Sequence, residues 1–564
     1  MRRNCKFALI LYLGLVIVGI PSAWAYWVDD GVAIITGTGA HYPQITSDGS
    51  GGAIITWYDL RGVLPEDIYA QRIDAAGNLR WASGGVIICG ASGYQGSPKI
   101  TSDGSGGAII IWYDNRSVTS MDIYAQRVDA FGNVQWIEDG VVVCTEWEYG
   151  EDPQIISDGS GGAIIAWQED PMGTGEEDIY AQRIDADGSV LWTAEGEAIC
   201  TVPEDNQNPQ LVSDGSGGAI ITWQDARNET TKWDIYAQRV DAFGYVQWTP
   251  DGVAICTESS WQWYPQLTSD GSGGAIITWQ DERGMANIYA QRVSAGGTVL
   301  WAAGGVAVCT AAEGQEYPRI TTDGSGGAVI TWEDTRNISS ERDIYAQRID
   351  AGGTVLWTAD GVAICTALEW QYNPRITSNG SGGAIITWIE EYTGGSDIYA
   401  QGISAGGSVQ WAENGVAICT ASGYQLYPQI TTDGAGGAII AWHDGRSTPG
   451  ACEEIYAQRT LYVTGDDPSV TPMTTYLDQN FPNPFNPITT IHFGLKEPAH
   501  VSLNVYDVSG SLVRVLLNEW RMAGHHEEIW DGTDSRGSAA ASGVYFYRLS
   551  TGSFTEAKKI ILLR

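Results

Sequence analysis

The pattern of apolar and polar positions repeats along most of the chain. An apolar run closed by tryptophan, "SDGSGGAIITW", ends at Trp57, and close copies end at Trp112, Trp167, Trp223, Trp279, Trp332, Trp388 and Trp442. Each copy continues into an alternating segment such as "DIYAQRIDAAGN" and then a second tryptophan: Trp81, Trp136, Trp192, Trp248, Trp301, Trp357 and Trp411. One unit predicts four strands: Pro43–Thr46, Ala53–Trp57, Ile68–Ile73, and Leu79 through Trp81 toward Cys89, bulged at Gly84–Gly85. The Asp48–Gly52 and Asp74–Asn78 segments between them have the chemistry of tight turns, with glycine for positive φ and aspartate to bond the backbone beyond it.

Four antiparallel strands recurring about eight times predict an all-β fold, an eight-bladed β-propeller. The segment Trp27–Ile35 is a fourth-strand copy with no strands before it, and the last unit stops at Arg459 without a fourth strand. Residues 26–36 are therefore expected to complete the last blade and close the ring. The element "YAQRIDAAGNLRW" resembles the tryptophan-docking element of quinoprotein-like eight-bladed propellers, with Ala70, Asp74, Gly77 and Trp81 in similar places. That resemblance concerns blade construction; no quinone-binding residue carries over, and no cofactor is expected.

Outside the repeats the pattern changes. Arg2, Arg3 and Lys6, an apolar stretch Phe7–Gly19 and Ala23-Trp24-Ala25 read as a signal peptide over residues 1–25, cleaved near Ala25. No other segment is long and apolar enough to span a membrane, so no transmembrane segment is expected in the mature chain. Residues 461–475 read as a linker. Residues 476–564 show short alternating strands between Gly/Asp turns, which predicts a small C-terminal β-sandwich. His525 and His526 there are expected to face solvent.

This last segment resembles the type A C-terminal sorting domain of type IX secretion cargo, an immunoglobulin-like, FlgD-related sandwich. The likeness lies in Phe481-Pro482-Asn483-Pro484-Phe485-Asn486-Pro487, Val505-Tyr506-Asp507 with Gly510, Trp530-Asp531-Gly532 and Gly543-Val544-Tyr545-Phe546. It implies a secreted or outer-surface protein whose tail engages the secretion machinery. It leaves the propeller's task open, since such cargo includes enzymes, adhesins and propellers alike.

The formal net charge is −38, and residues 26–460 hold 57 acidic against 19 basic residues. That field excludes nucleic acid and anionic membranes as partners. Seven cysteines recur eight residues after the second tryptophan (Cys89, Cys144, Cys200, Cys256, Cys309, Cys365, Cys419), with Ile35 in the first copy. Equivalent sites on separate blades lie too far apart to bridge, so these read as buried free thiols acting as small apolar groups; Cys452 reads as a surface thiol. Recurrent Asp-x-Arg pairs such as Asp59-x-Arg61 read as turn-locking ion pairs. The DGSGG turns carry one carboxylate each, too few oxygens for calcium. His41 and His443, at the seam between last and first blades, read as surface loop residues, and no metal site is expected.

Strand alternation places two variable connections of each unit on one face of the disc. Function on a propeller resides in such loops. The aromatic residues there, Tyr94, Trp147, Tyr149, Trp261, Trp263, Trp370, Tyr372 and Tyr424, suit stacking on a carbohydrate or protein ligand. The sequence thus points to a binding or adhesion protein, with an extracellular polysaccharide hydrolase or lyase and a structural cell-envelope protein as alternatives. Near-identical repeats offer no asymmetric centre, and no catalytic residue is nominated.

Overall fold

A computed structural model describes residues 27–37, 39–61, 66–117, 121–145, 151–170, 175–228, 233–337, 342–446, 454–460, 475–477, 480, 483, 485, 487–522, 524–552 and 554–563. The signal-peptide segment, Cys452, Trp147, Tyr149 and all but the end of the linker lie outside them.

The repeats form eight four-stranded antiparallel sheets. In blade 1 the strands are Ala40–Ser47, Ala53–Asp59, Asp67–Ile73 and Val86–Cys89. The first strands of blades 2 to 8 are Gln95–Ser102, Glu151–Ser157, Asn206–Ser213, Gln262–Ser269, Gln315–Thr322, Trp370–Ser378 and Gln425–Thr432. Each first strand touches that of the next blade, and the eighth touches the first, so the ring is closed with these strands innermost. In blade 1 the positions from Gln44 to Ser47 are all partly accessible, whereas six of the seven positions of Ala53–Asp59 are buried. That contrast marks the first strand as the lining of a central channel and the second as core.

The structure corrects two strand boundaries. The first strand begins three residues before Pro43, because a bulge between His41 and Gln44 keeps pairing going past the proline. The fourth strand is only Val86–Cys89; Leu79 makes an isolated bridge to Ile73, and Trp81 lies in the turn between them.

Trp81 has left its own sheet for its neighbour. Its indole lies on Gly132 of blade 2, and its Nε1 donates to Ala130 O at 3.1 Å. Gly132 has φ 88°, and a Cβ there would come within 2.8 Å of the indole. The turn therefore needs glycine on two counts. At the seam Trp27 plays the same part, lying on Gly77 and donating from Nε1 to Ala75 O at 3.1 Å. Val32–Ile35 then pairs with Glu454–Thr460 as the fourth strand of blade 8.

A second junction is ionic. Asp48 Oδ1 accepts from the Ser50 and Gly52 amides, both at 2.8 Å, which fixes the DGSGG turn. Its Oδ2 takes Arg72 at 2.8 Å, and Arg72 Nη1 donates across to Ala130 O at 2.8 Å. The motif recurs around the ring and closes it where Arg459, paired with Asp433, donates to Ala75 O at 2.9 Å. Blade 7 has lost both charges together: Asn379 keeps the turn bonds, and Gly402 stands where the arginine would be. Removing one partner alone would strand a buried charge, at about 3–5 kcal/mol.

The Asp-x-Arg pairs are turn locks. Asp59 accepts from Trp57 Nε1 at 3.0 Å and pairs with Arg61, whose guanidinium lies 3.8 Å from the Tyr69 ring centroid. The seven repeat cysteines are free and buried. Burial pushes the Cys89 thiol up to about 12, which disfavours the thiolate.

The C-terminal region is a β-sandwich of a three-stranded sheet (Tyr476–Leu477, Thr489–Leu495, Gly524–Trp530) and a four-stranded one (Leu512–Arg521, Ala499–Asp507, Gly543–Ser550, Thr555–Leu562). Phe485, Ile491, Phe493, Leu503, Trp530 and Tyr547 fill the space between them. His526 does not simply face solvent: it stacks on Phe493 at 5.2 Å between ring centroids. Among the described residues no helix is long and apolar enough to cross a membrane.

Trp27 is half-buried and docks the clasp. Trp27→Ala is expected to lower the unfolding free energy of the propeller by about 2–3 kcal/mol, somewhat below the cost of truncating a fully buried tryptophan. Urea denaturation followed by tryptophan fluorescence measures it; an unchanged midpoint would show that the seam contributes nothing to closure.

Candidate functional site

In seven of the eight first strands the bulge places the residue immediately before the proline in left-handed backbone at the channel mouth on the variable face. These are Tyr42 (φ 49°), Ser97 (50°), Asn208 (55°), Tyr264 (53°), Tyr317 (53°), Asn373 (56°) and Tyr427 (52°). Such backbone costs an L-residue with a bulky side chain about 1–2 kcal/mol. In five of them a hydrogen bond from the preceding blade offsets it. Gln168 Oε1 accepts from the Asn208 amide at 2.7 Å, Gln224 Oε1 from Tyr264 at 2.7 Å, Gln280 Oε1 from Tyr317 at 3.4 Å, and Glu333 Oε1 from Asn373 at 2.8 Å.

At the seam His443 takes this role: its Nε2 accepts from the Tyr42 amide. His443 is thus no surface loop residue. It is 1% exposed, at the buried end of a second strand, and His41 lies beside it at 5.5 Å between ring centroids. Burial, with the His41 ring adding to it, pulls its pKa down to about 3, so the imidazole is the neutral acceptor that the latch requires. Among the described residues no cluster of metal-ligating side chains is present.

The residues at this pre-proline position break the eight-fold symmetry. Tyr264, Tyr317, Tyr427 and Tyr42 make blades 5, 6, 8 and 1 aromatic at the mouth, with Asn373 between them in blade 7, while Ser97 and Asn208 leave blades 2 and 4 small and polar. The tyrosines meet in pairs, Tyr42 with Tyr427 at 5.0 Å and Tyr264 with Tyr317 at 5.1 Å between centroids. Tyr58 sits behind the first pair, 5.7 Å from Tyr42, and burial followed by the neighbouring Tyr94, Tyr42 and Glu66 raises its hydroxyl far above the usual phenol range.

From the second pair a ridge of rings runs outward over the variable face. Tyr264 lies 6.4 Å from Trp263, which meets Trp261 edge-on at 5.4 Å and Trp233, from the loop of blade 4, at 5.4 Å. Trp261 and Tyr264 are exposed. The expected binding residues Trp261 and Trp263 are therefore adjacent, joined by three rings the sequence reading did not select.

The other expected residues do not join the ridge. Tyr94 folds over Gly96 in blade 2, close to Tyr58. Tyr372 packs against the apolar cluster between blades 7 and 8 and bonds Glu391, a packing role more than a display of its ring. Trp370 and Tyr424 are exposed on blades 7 and 8. Two carboxylates face each other across the strands of blade 7, Glu390 and Asp397, raised to about 7 and about 6; burial is the main cause for each, with Asp397 next for Glu390. They occupy the Asp59–Asp67 position of blade 1, where Arg61 adds a compensating charge.

Residues 486–553 match the FlgD Ig-like domain family. No curated protein matches the chain. Among solved structures, a lectin from Burkholderia pseudomallei is similar at 8% identity and TM-score 0.41, covering 68% of this chain and 99% of the lectin. An alpha-L-arabinanase from Penicillium chrysogenum, complexed with arabinobiose, has 13% identity and TM-score 0.33 over 76% of this chain and 97% of its own. A ulvan lyase has 11% identity and TM-score 0.40 over 70% and 97%. The β-propeller assignment stands on the closed ring of sheets described above.

If His443 acts as a latch, His443→Gln installs the residue that blades 3, 4 and 5 use and is expected to leave stability at pH 8 within about 1 kcal/mol, while His443→Ala, which strands the Tyr42 amide, costs about 1–3 kcal/mol. A histidine whose folded pKa is depressed contributes stability above its unfolded pKa that is lost as pH falls through the window from about 6.5 to about 3. Thermal unfolding of wild type and His443→Gln across that window should therefore diverge in favour of the glutamine variant on acidification.

Proposed function

We propose that this is a secreted or cell-surface propeller that binds a glycan on its variable face, exported by the type IX route under the direction of its C-terminal domain. One observation carries the binding reading: the continuous ridge Trp233, Trp261, Trp263, Tyr264 and Tyr317, open to solvent at Trp261 and Tyr264 and ending at the channel mouth. Adjacent exposed rings on a rigid frame present apolar, polarisable faces that suit the C–H faces of sugar rings, with little side-chain entropy to lose. Exposed apolar patches rimmed by polar groups mark interaction sites. The frame is fixed independently of the ridge, by ion pairs and tryptophan docking on the turns, so the ridge is free to serve a ligand.

The export reading rests on the ordered motifs from Phe481 to Phe546 and on the match of residues 486–553 to the FlgD Ig-like domain. The apolar N-terminal segment before Ala25 supplies the first step, across the inner membrane.

Glycan-array screening of the mature chain, followed by calorimetry on the hits, tests the binding reading. Trp263→Ala is expected to weaken the best ligand tenfold or more with an unchanged unfolding midpoint; equal affinity in the variant, or an empty array, would reject the reading. Deleting residues 476–564 is expected to leave the propeller in the periplasm of a type IX-competent host, as cell fractionation would report; its undiminished appearance outside the cell would reject the export role.

A further inference from the structure

Just below the ring of pre-proline residues, the position after each proline lines the channel. Five blades carry glutamine there (Gln44, Gln154, Gln210, Gln266, Gln429), and blade 2 carries Lys99. Blades 6 and 7 carry Arg319 and Arg375. The two arginines hold the same register, opposite Thr331 and Thr387, on inner strands that touch each other. They lie beneath Tyr317 and Asn373, at the inner end of the aromatic ridge. In a propeller of such acidity, two neighbouring guanidinium groups on a channel wall are a local reversal of sign.

Their surroundings do not neutralise Arg375. It donates from Nη1 to Asn373 Oδ1 at 2.7 Å and to Pro374 O at 3.2 Å, both uncharged acceptors. A guanidinium has five donors in a planar fork, so most of its donor capacity remains for a partner. The acid whose charge reaches it, Glu333, is already engaged by Arg342 and by the Asn373 amide. Arg375 nevertheless keeps water-accessible surface, as a side chain on a channel wall should. Burial and the Arg319 charge both act against the Arg375 cation, with Glu333 opposing them weakly. An anion between the two groups would relieve that repulsion and accept their hydrogen bonds.

We infer that Arg319 and Arg375 form an anion subsite at the inner end of the ridge, which makes the ligand an acidic glycan whose carboxylate or sulfate ester enters the channel mouth while its neighbouring sugars lie on the rings. The inference rests on the glycan-binding reading and narrows its ligand class. Forked donors on an anionic group fix orientation as well as charge, and a neutral sugar would supply no charge to answer the two cations.

The test uses the mature chain and the double variant Arg319→Gln/Arg375→Gln. Glutamine is the residue of five other blades at this position, so the variant should fold, which its unfolding midpoint checks. The probes are oligogalacturonate, its methyl ester, a sulfated galactan oligosaccharide and the desulfated form. The expected result is that an acidic probe binds at least tenfold more tightly than its neutral counterpart, and that the double variant abolishes this preference while retaining the residual binding of the neutral form. Loss on methyl esterification assigns a carboxylate; loss on desulfation assigns a sulfate. Binding of neutral and acidic forms with equal affinity, or a preference that survives in the double variant, would overturn the subsite and leave the ridge reading standing. No binding to these or any arrayed glycan would overturn both.

Discussion

Everything in this structure depends on how one sheet is fastened to the next. A four-stranded sheet with apolar faces on both sides cannot stand alone in water; it must be covered twice. Here the covering is made specific by directional contacts at three depths. At the turn face, an aspartate–arginine pair reaches a carbonyl of the neighbouring blade, and an indole lies on that blade's glycine turn. At the mouth, a glutamine, glutamate or histidine side chain grips an amide of the neighbouring inner strand. Between them lie the buried isoleucines and tryptophans. The apolar layer buries the sheet faces, and the polar contacts add direction to it.

This fastening explains why function must be sought in departures from the repeat. Residues that recur from unit to unit are occupied by the frame: the tryptophans, the Asp-x-Arg pairs of six blades, the turn aspartates of seven and the seven cysteines all touch a neighbouring element. The ligand-facing residues are those the junctions leave unconstrained, namely the side chains carried by the latched backbone and the loops around them. The latch holds an amide and is indifferent to the side chain beyond it. That is why tyrosine and asparagine can exchange there without disturbing the frame.

The fold was legible in the sequence because its signal is repeated. Tryptophan spacing, alternating runs and glycine turns specified the blades, and a lone fourth-strand copy at Trp27–Ile35 foreshadowed the seam. The fourth strand was drawn too long, because a tryptophan within an alternating pattern reads as part of its own sheet, whereas Trp81 belongs to the next blade's surface. The site was legible only in part. Trp261 and Trp263 stand out as aromatic residues in a variable loop, but Tyr264 and Tyr317 sit immediately before the prolines that open the expected first strands, where nothing in the pattern marks them. The signal was present: the proline recurs in every unit while the residues on either side of it change, and Lys99, Arg319 and Arg375 interrupt a row of glutamines. What the one-dimensional pattern could not show is that the bulge swings these positions into the channel mouth. His443 misled for a related reason, since its equivalence to glutamine appears only once the latch is seen.

The seam carries a last consequence. The junction between blades 8 and 1 uses the same indole dock, ion pair and latch as the others, with Trp27 in place of a second tryptophan and His443 in place of glutamine. It is supplied by two distant parts of the chain. A protein built this way has no privileged starting point: severing a surface loop elsewhere and splicing the present ends would leave every inter-sheet contact intact. The order in which the units are written is thus separable from the object they build, and the ridge could be moved within the gene without moving on the disc.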